Sequence, residues 1–466
     1  LMKKYILIIL CCLTSFPLWS YNVNMIVEHY SVDQGLPNNT VNCTLKDRDG
    51  FIWFGTWYGL CCFDGVKFKT FNKQEHDSDV PPRKIQRIVE DKNGYIWVKT
   101  IDRKLYVFNK VTECFHAVYD DMKNYSENIQ VIKLQNTAEG DVLLLTKDKN
   151  LLLAGVDEKG QVTIKILFDS RDEINKHDYT LKHHVLCETE EYISWIGTDY
   201  KVSAVHKGAE LASRPADFIT SKINSGDKDS FTSFFEDGRK VWVGDRAGIF
   251  YSIDVRTGLV NRYVLSEIKG AISNLLVTPA GYVYLSVAGQ GTYEYDLAER
   301  RLQKINTEMN DAMVTHAFID QYDKIWFHEN EKALIYYDPL NHTAKRFPFT
   351  MFGKITTLYS EDAGERGLFF LSPAGEAWLF DREHAEMVYI NKLKQLSNDR
   401  ANQQFYHLML DNDGVLWLSS ADEGVYCMNF PKKQFNLLSL SPQSAGQENY
   451  TCLLYTSPSP RDRSLS

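Results

Sequence analysis

Leu45–Gly50 (LKDRDG), Phe51–Thr56 (FIWFGT), Gly59–Asp64 (GLCCFD) and Gly65–Phe71 (GVKFKTF) form the stretch whose reading decides the fold. Three runs of strand-forming side chains are separated by Asp/Gly turn signals at intervals too short for helices, which predicts a small antiparallel meander. Asp47 and Asp49 can accept bonds from nearby backbone N–H groups. Gly50 can take the positive φ that closes a tight hairpin without steric cost.

The same grammar recurs downstream. Glu90–Gly94 leads into Tyr95–Thr100 (YIWVKT), Thr137–Gly140 into Val142–Thr146, Glu190–Glu191 into Ile193–Thr198 (ISWIGT), and Glu236–Gly238 into Val241–Gly244 (VWVG). Weaker copies follow at Gly281–Ser286, Tyr322–Phe327, Glu361–Leu371 and Asp411–Ser419. The spacing of roughly 40 to 50 residues, repeated about nine times, is that of four-stranded propeller blades. One such sheet cannot bury its own faces and is stabilised by stacking on its copies. Trp53, Trp97, Trp195, Trp242, Trp326 and Trp417 are therefore expected to fill the space between neighbouring blades rather than to stack on a ligand.

The 466-residue length and an aromatic content of 13% suit packed sheets. A net charge of -9 without clustered Lys and Arg argues against a nucleic-acid partner. Lys3 and Lys4, the apolar run Tyr5–Leu13 and the polar residues to Ser20 have the order of a secretory signal, with an uncleaved anchor as the alternative. Export permits a disulfide, but Cys43, Cys61, Cys62, Cys114, Cys187 and Cys427 have no metal-ligand spacing, and buried strand thiols are expected. Ile26–Tyr30 looks like a lone outer strand able to complete the last blade of a ring. The resulting division is a signal at residues 1–20, a first propeller of about seven blades at 21–360, the start of a second propeller at 361–448, and a tail at 449–466 that resembles translated adapter sequence.

Tyr30–Val41 (YSVDQGLPNNTV), followed by Asp47–Thr56, Gly59–Leu60 and Phe63–Asp64, resembles the two-component regulator propeller repeat. The resemblance extends over roughly Ile26 to Leu440. It implies the periplasmic sensor region of a hybrid two-component system of the Bacteroides type. Such a receptor has two seven-bladed propellers, an immunoglobulin-like domain, a membrane helix and a histidine kinase. An oligosaccharide is the implied ligand, polysaccharide-utilisation genes the implied output, and a homodimer the implied state of the full receptor. Membrane attachment and kinase activity would reside in parts beyond this stretch.

In four-stranded blades the loops between second and third strands share one face. On them lie Trp57, Tyr58, Asp102, Arg103, Asp148, Lys149, Asp199, Tyr200, Asp245, Arg246, Gly289 and Gln290. Asp and Arg could bind sugar hydroxyls while Trp57 or Tyr200 stacks on a sugar face; Trp57, Tyr58, Asp102, Arg103, Asp199, Tyr200, Asp245 and Arg246 are the candidate ligand-binding residues. The alternative for each is an Asp-led turn beside a solvated cation. No catalytic residue, metal or cofactor is expected. The Asp-x-Asp-Gly turns at Asp47 and Asp411 lack the further ligands of a calcium loop, no carboxylate pair stands out as hydrolytic, and His183 and His184 on a strand face opposite sides. A propeller hydrolase or lyase and a protein-interaction propeller remain the competing classes.

Overall fold

The structure, a computed structural model, describes residues 26–71, 82–122, 130–147, 150–168, 181–197, 202–208, 218–221, 231–305, 314–329, 332–352, 359–362, 367–372, 375–392 and 405–429. The signal segment and the tail lie outside them. The regular structure of the described residues is nearly all strand, arranged as nine separate four-stranded antiparallel sheets. Blade 1 comprises Val41–Lys46, Ile52–Thr56, Gly59–Phe63 and Phe68–Phe71. Blade 2 comprises Ile85–Glu90, Ile96–Thr100, Leu105–Asn109 and Cys114–Ala117. Blades 3 to 8 repeat the meander and begin at Val131, Leu181, Phe231, Ile272, Val314 and Tyr359.

The ninth sheet is different. Its first three strands are Phe405–Leu410, Val415–Ser420 and Val425–Asn429, and its fourth is the N-terminal strand Ile26–Tyr30, paired from Ile26 opposite Asn429 to Tyr30 opposite Val425. The N-terminus thus closes a blade, as the sequence suggests, but it is the ninth and not the seventh. The seventh sheet has no edge to offer on its third strand, because Thr343–Pro348 already covers Ala333–Asp338. The expected division near residue 360, with a second ring beginning there, is corrected accordingly.

Nine apolar clusters hold the sheets together, one at each interface between consecutive blades. The last of them joins blade 9 to blade 1: Trp417, Val425 and Cys427 pack with Val41, Phe54, Cys61 and Phe63. The series is therefore circular. First strands of neighbouring blades touch one another, which places them innermost. The tryptophans sit at these seams as expected. Trp53 meets Phe108 of blade 2, Trp326 meets Phe370 and Phe380 of blade 8, and Trp417 meets Phe54 and Phe63 of blade 1. The Trp195 side chain lies outside the described residues.

A single carboxylate makes five of the tryptophan blades close the same way. Asp47 Oδ1 accepts from the N–H groups of Asp49 and Phe51, while Oδ2 accepts from Trp53 Nε1 at 2.8 Å. Asp91 does the same for Asn93, Tyr95 and Trp97, and Asp237, Asp320 and Asp411 for Trp242, Trp326 and Trp417. One side chain thus shapes the turn and satisfies the buried indole N–H, which would otherwise be left unpaired. In blades 3 and 6, Thr137 and Thr278 keep the turn bond to Asp141 and Tyr282.

The described cysteines are free thiols. Burial pushes the thiols of Cys43, Cys61, Cys62 and Cys427 up to about 12, so they stay protonated and unreactive, whereas Cys114 is half-buried. Among these five, only Cys114 is expected to react promptly with a thiol reagent in the folded protein. Peptide mapping of the labelled sites would reveal a breach of any seam as early labelling of one of the other four.

Candidate ligand-binding face

The two faces of the ring are chemically unlike. One carries the Asp-led turns together with the ends of the third strands, and it is locked by ion pairs. Lys110, the residue after the third strand of blade 2, reaches back to blade 1 and donates to Asp47 Oδ2 (3.0 Å), Asp49 Oδ2 (2.6 Å) and Glu90 Oε1 (2.8 Å). Burial alone would pull its ammonium pKa down; the three carboxylates outweigh burial and raise it. Asp47, Asp49 and Glu90 lie close enough together to hold a cation, and the Lys110 ammonium already fills that role.

The device recurs. Arg382, just after the third strand of blade 8, bonds Asp320 of blade 7 at 2.6 Å and Asp362 at 2.7 Å, and Lys207 of blade 4 bonds Glu139 and Glu188 at 2.8 and 2.6 Å. Lys46 of blade 1 pairs with Asp413 (2.5 Å) and Asp411 (3.4 Å) of blade 9, an electrostatic counterpart to the apolar seam. Sequence reading does not single out these cations, because each lies dozens of residues from the turn it serves.

The opposite face is built from the loops between second and third strands and the entries to first strands, and backbone bonds link them in series. Trp57 N–H donates to Thr40 O, Lys84 N–H to Trp57 O, Ile101 N–H to Lys84 O, and Val131 N–H to Arg103 O. Over blades 1 and 2 this arrangement displays Trp57 and Tyr58, 44% and 60% exposed, beside exposed Ile101. The Lys84 ammonium stands 5.3 Å from the centre of the Trp57 ring, a cation–π contact. Lys84 and Arg103 hold φ values of 49° and 68°, in the left-handed region that non-glycine residues seldom adopt. The fold therefore brings Trp57, Tyr58, Asp102 and Arg103 onto the same face, on neighbouring loops of blades 1 and 2 joined through Lys84.

Desolvation pushes the Asp102 carboxyl up, but a bond from Thr100 Oγ1 at 2.5 Å and the pairing with Lys104 at 3.4 Å outweigh it and hold the group below the usual range. Asp245 is 1% exposed and turned inward, where Oδ1 accepts from the N–H groups of Ala247 and Ile249. Desolvation raises its carboxyl pKa. Its oxygens are engaged within its own turn, and exposed Arg246 stands on a different blade from Trp57. Gln290 is bound to its own blade entry through Lys269 N–H and Glu267 O. Asp148, Lys149, Asp199 and Tyr200 lie outside the described residues.

Fold and surface together define a β-propeller with one ion-paired face and one face that exposes aromatic and cationic groups. Residues 35–58, which end at the exposed Trp57–Tyr58 pair, match the family described as "Two component regulator propeller". No curated protein matches the chain. Among solved structures it is similar to the extracellular domain assigned to a hybrid two-component system of B. thetaiotaomicron, at 14% identity and a TM-score of 0.33, covering 85% of this chain and 58% of that one. It is also similar to the Dos1 propeller (11% identity, TM-score 0.45, 86% and 93% covered) and to virginiamycin B lyase from Staphylococcus aureus (9%, 0.32, 66% and 96%). The chain spans less than two thirds of the length of the B. thetaiotaomicron domain.

Proposed function

We propose that this chain is the ligand-sensing propeller region of an exported hybrid two-component receptor, that it recognises an oligosaccharide, and that it acts without turnover of its own. In the full receptor, a homodimer, differential affinity for two arrangements would carry the signal to polysaccharide-utilisation genes. What supports the reading is the patch over blades 1 and 2. A stacking surface (Trp57, Tyr58), cations (Lys84, Arg103) and an apolar side chain (Ile101) stand on one surface, the combination that sugar rings engage through their apolar faces and hydroxyls. The regulator repeat ends in this patch at Tyr58.

Calorimetric titration with a panel of plant and host oligosaccharides tests it. Saturable binding to at least one member is expected, weakened at least tenfold by Trp57→Ala. A flat panel would favour the protein-interaction reading. New reducing ends or unsaturated products on incubation with polysaccharides would instead establish an enzyme.

A further inference from the structure

Blade 2 carries a positive charge at a position where blades 1 and 5 have glycine, and among the described residues no carboxylate balances it. In blade 1 the residue two after the seam tryptophan is Gly55, and in blade 5 it is Gly244. Both glycines pack tightly on the neighbouring blade: a Cβ on Gly55 would lie 2.6 Å from Ile85 Cγ2, and one on Gly244 would lie 2.8 Å from Ile272 Cγ2. In blade 2 the same position is Lys99. It is 7% exposed, and its ammonium donates to Ile132 O on the innermost strand of blade 3. An ammonium has three N–H donors, so this bond leaves two to be satisfied.

Directly opposite Lys99 across the strand pair stands Arg87, in the register that sets Cys43 opposite Gly55 in blade 1. Like charges facing each other on adjacent strands destabilise a sheet. Arg103, on the loop closing the same blade, adds a third charge. Burial, then Arg103 and Arg87, pulls the Lys99 ammonium down to about 8, so it remains largely protonated at neutral pH. Among the described residues no carboxylate pairs with Arg87, Lys99 or Arg103. This contrasts with the ion-paired face, where Lys46, Lys110, Lys207 and Arg382 each hold two or more carboxylates.

We infer that Arg87, Lys99 and Arg103 form a subsite for an anionic group, a carboxylate or a sulfate. The two exposed guanidiniums are suited to planar, bidentate capture of an oxyanion, and the buried ammonium supplies a desolvated charge beneath. Arg103 shares a face with Trp57 and Tyr58 on the neighbouring blade, so a chain of sugars is expected to engage both. The inference rests on the oligosaccharide reading and refines it: the sugar taken here is acidic.

The test is calorimetry at fixed ionic strength with tri-galacturonate, its neutral methyl ester and sodium sulfate, on the full chain and on Lys99→Met, Arg87→Gln and Arg103→Gln. Because Arg87 and Arg103 are exposed, their variants keep the test valid if Lys99→Met fails to fold. Expected is saturable binding of tri-galacturonate or sulfate, weakened at least tenfold by each substitution, with the ester bound at least tenfold more weakly than the acid. Equal binding of ester and acid, unchanged by the variants, would overturn the subsite while sparing the oligosaccharide reading. Binding of sulfate without any sugar would keep the subsite and remove the oligosaccharide reading. No anion binding by the unsubstituted chain would also overturn the inference.

Discussion

Replacing Asp47 by Ala is expected to destabilise the propeller by about 3–5 kcal/mol, the range for removing one partner of a buried ion pair. Asp47 is buried and serves four partners at once: two turn N–H groups, the Trp53 indole and the Lys110 ammonium. Its loss leaves an indole donor unsatisfied inside the seam between blades 1 and 2 and takes one of three carboxylates from Lys110. Urea unfolding followed by tryptophan fluorescence measures the effect. Asp49→Ala is the control: its carboxylate bonds the same lysine but is more than half exposed, and its loss should cost far less, because solvent screens the pair. Equal effects of the two would mean that the clasp contributes nothing beyond a surface ion pair.

Gly55→Val should be nearly as damaging, by about 3 kcal/mol, at the upper end for overpacking. The added methyls would be driven into Cys43 Sγ and Ile85, both buried in the seam. Backbone φ does not enter, because this glycine is required for space. The same substitution at Gly65, an exposed turn residue with nothing near its Cβ, strains only the backbone at φ 95° and should cost less. If Gly55→Val unfolds at the urea midpoint of the unsubstituted chain, blades 1 and 2 do not pack as described.

These two sites also mark what a reader of the sequence can see. The turn chemistry of Asp47, the hairpin glycines and the seam role of the tryptophans follow from local residue types, and the structure repeats them blade after blade. The number of blades in one ring does not follow. Periodicity specifies the repeating unit, whereas closure depends on which free edge the N-terminal strand covers, and every third strand looks alike until its neighbour is known. Asp245 reads equally well as an Asp-led turn and as a rim ligand; only its burial assigns the carboxylate to its own backbone. Lys99 carries a visible signal, a lysine where FIWFGT and VWVG have glycine, but its meaning needs Arg87 opposite it, which only strand register supplies.

Closure of the ring by the N-terminal strand is the claim on which the rest depends, and a single crosslink tests it. Glu28 lies directly opposite Cys427 in the ninth sheet. Directly paired antiparallel residues have Cα separations of about 4.5–5.5 Å, inside the range of about 4.4–6.8 Å that a disulfide spans. Oxidation of the Glu28→Cys variant followed by peptide mass mapping should recover a peptide joining positions 28 and 427, lost on reduction. A folded protein in which the introduced thiol stays free, or links elsewhere, would contradict the nine-bladed ring.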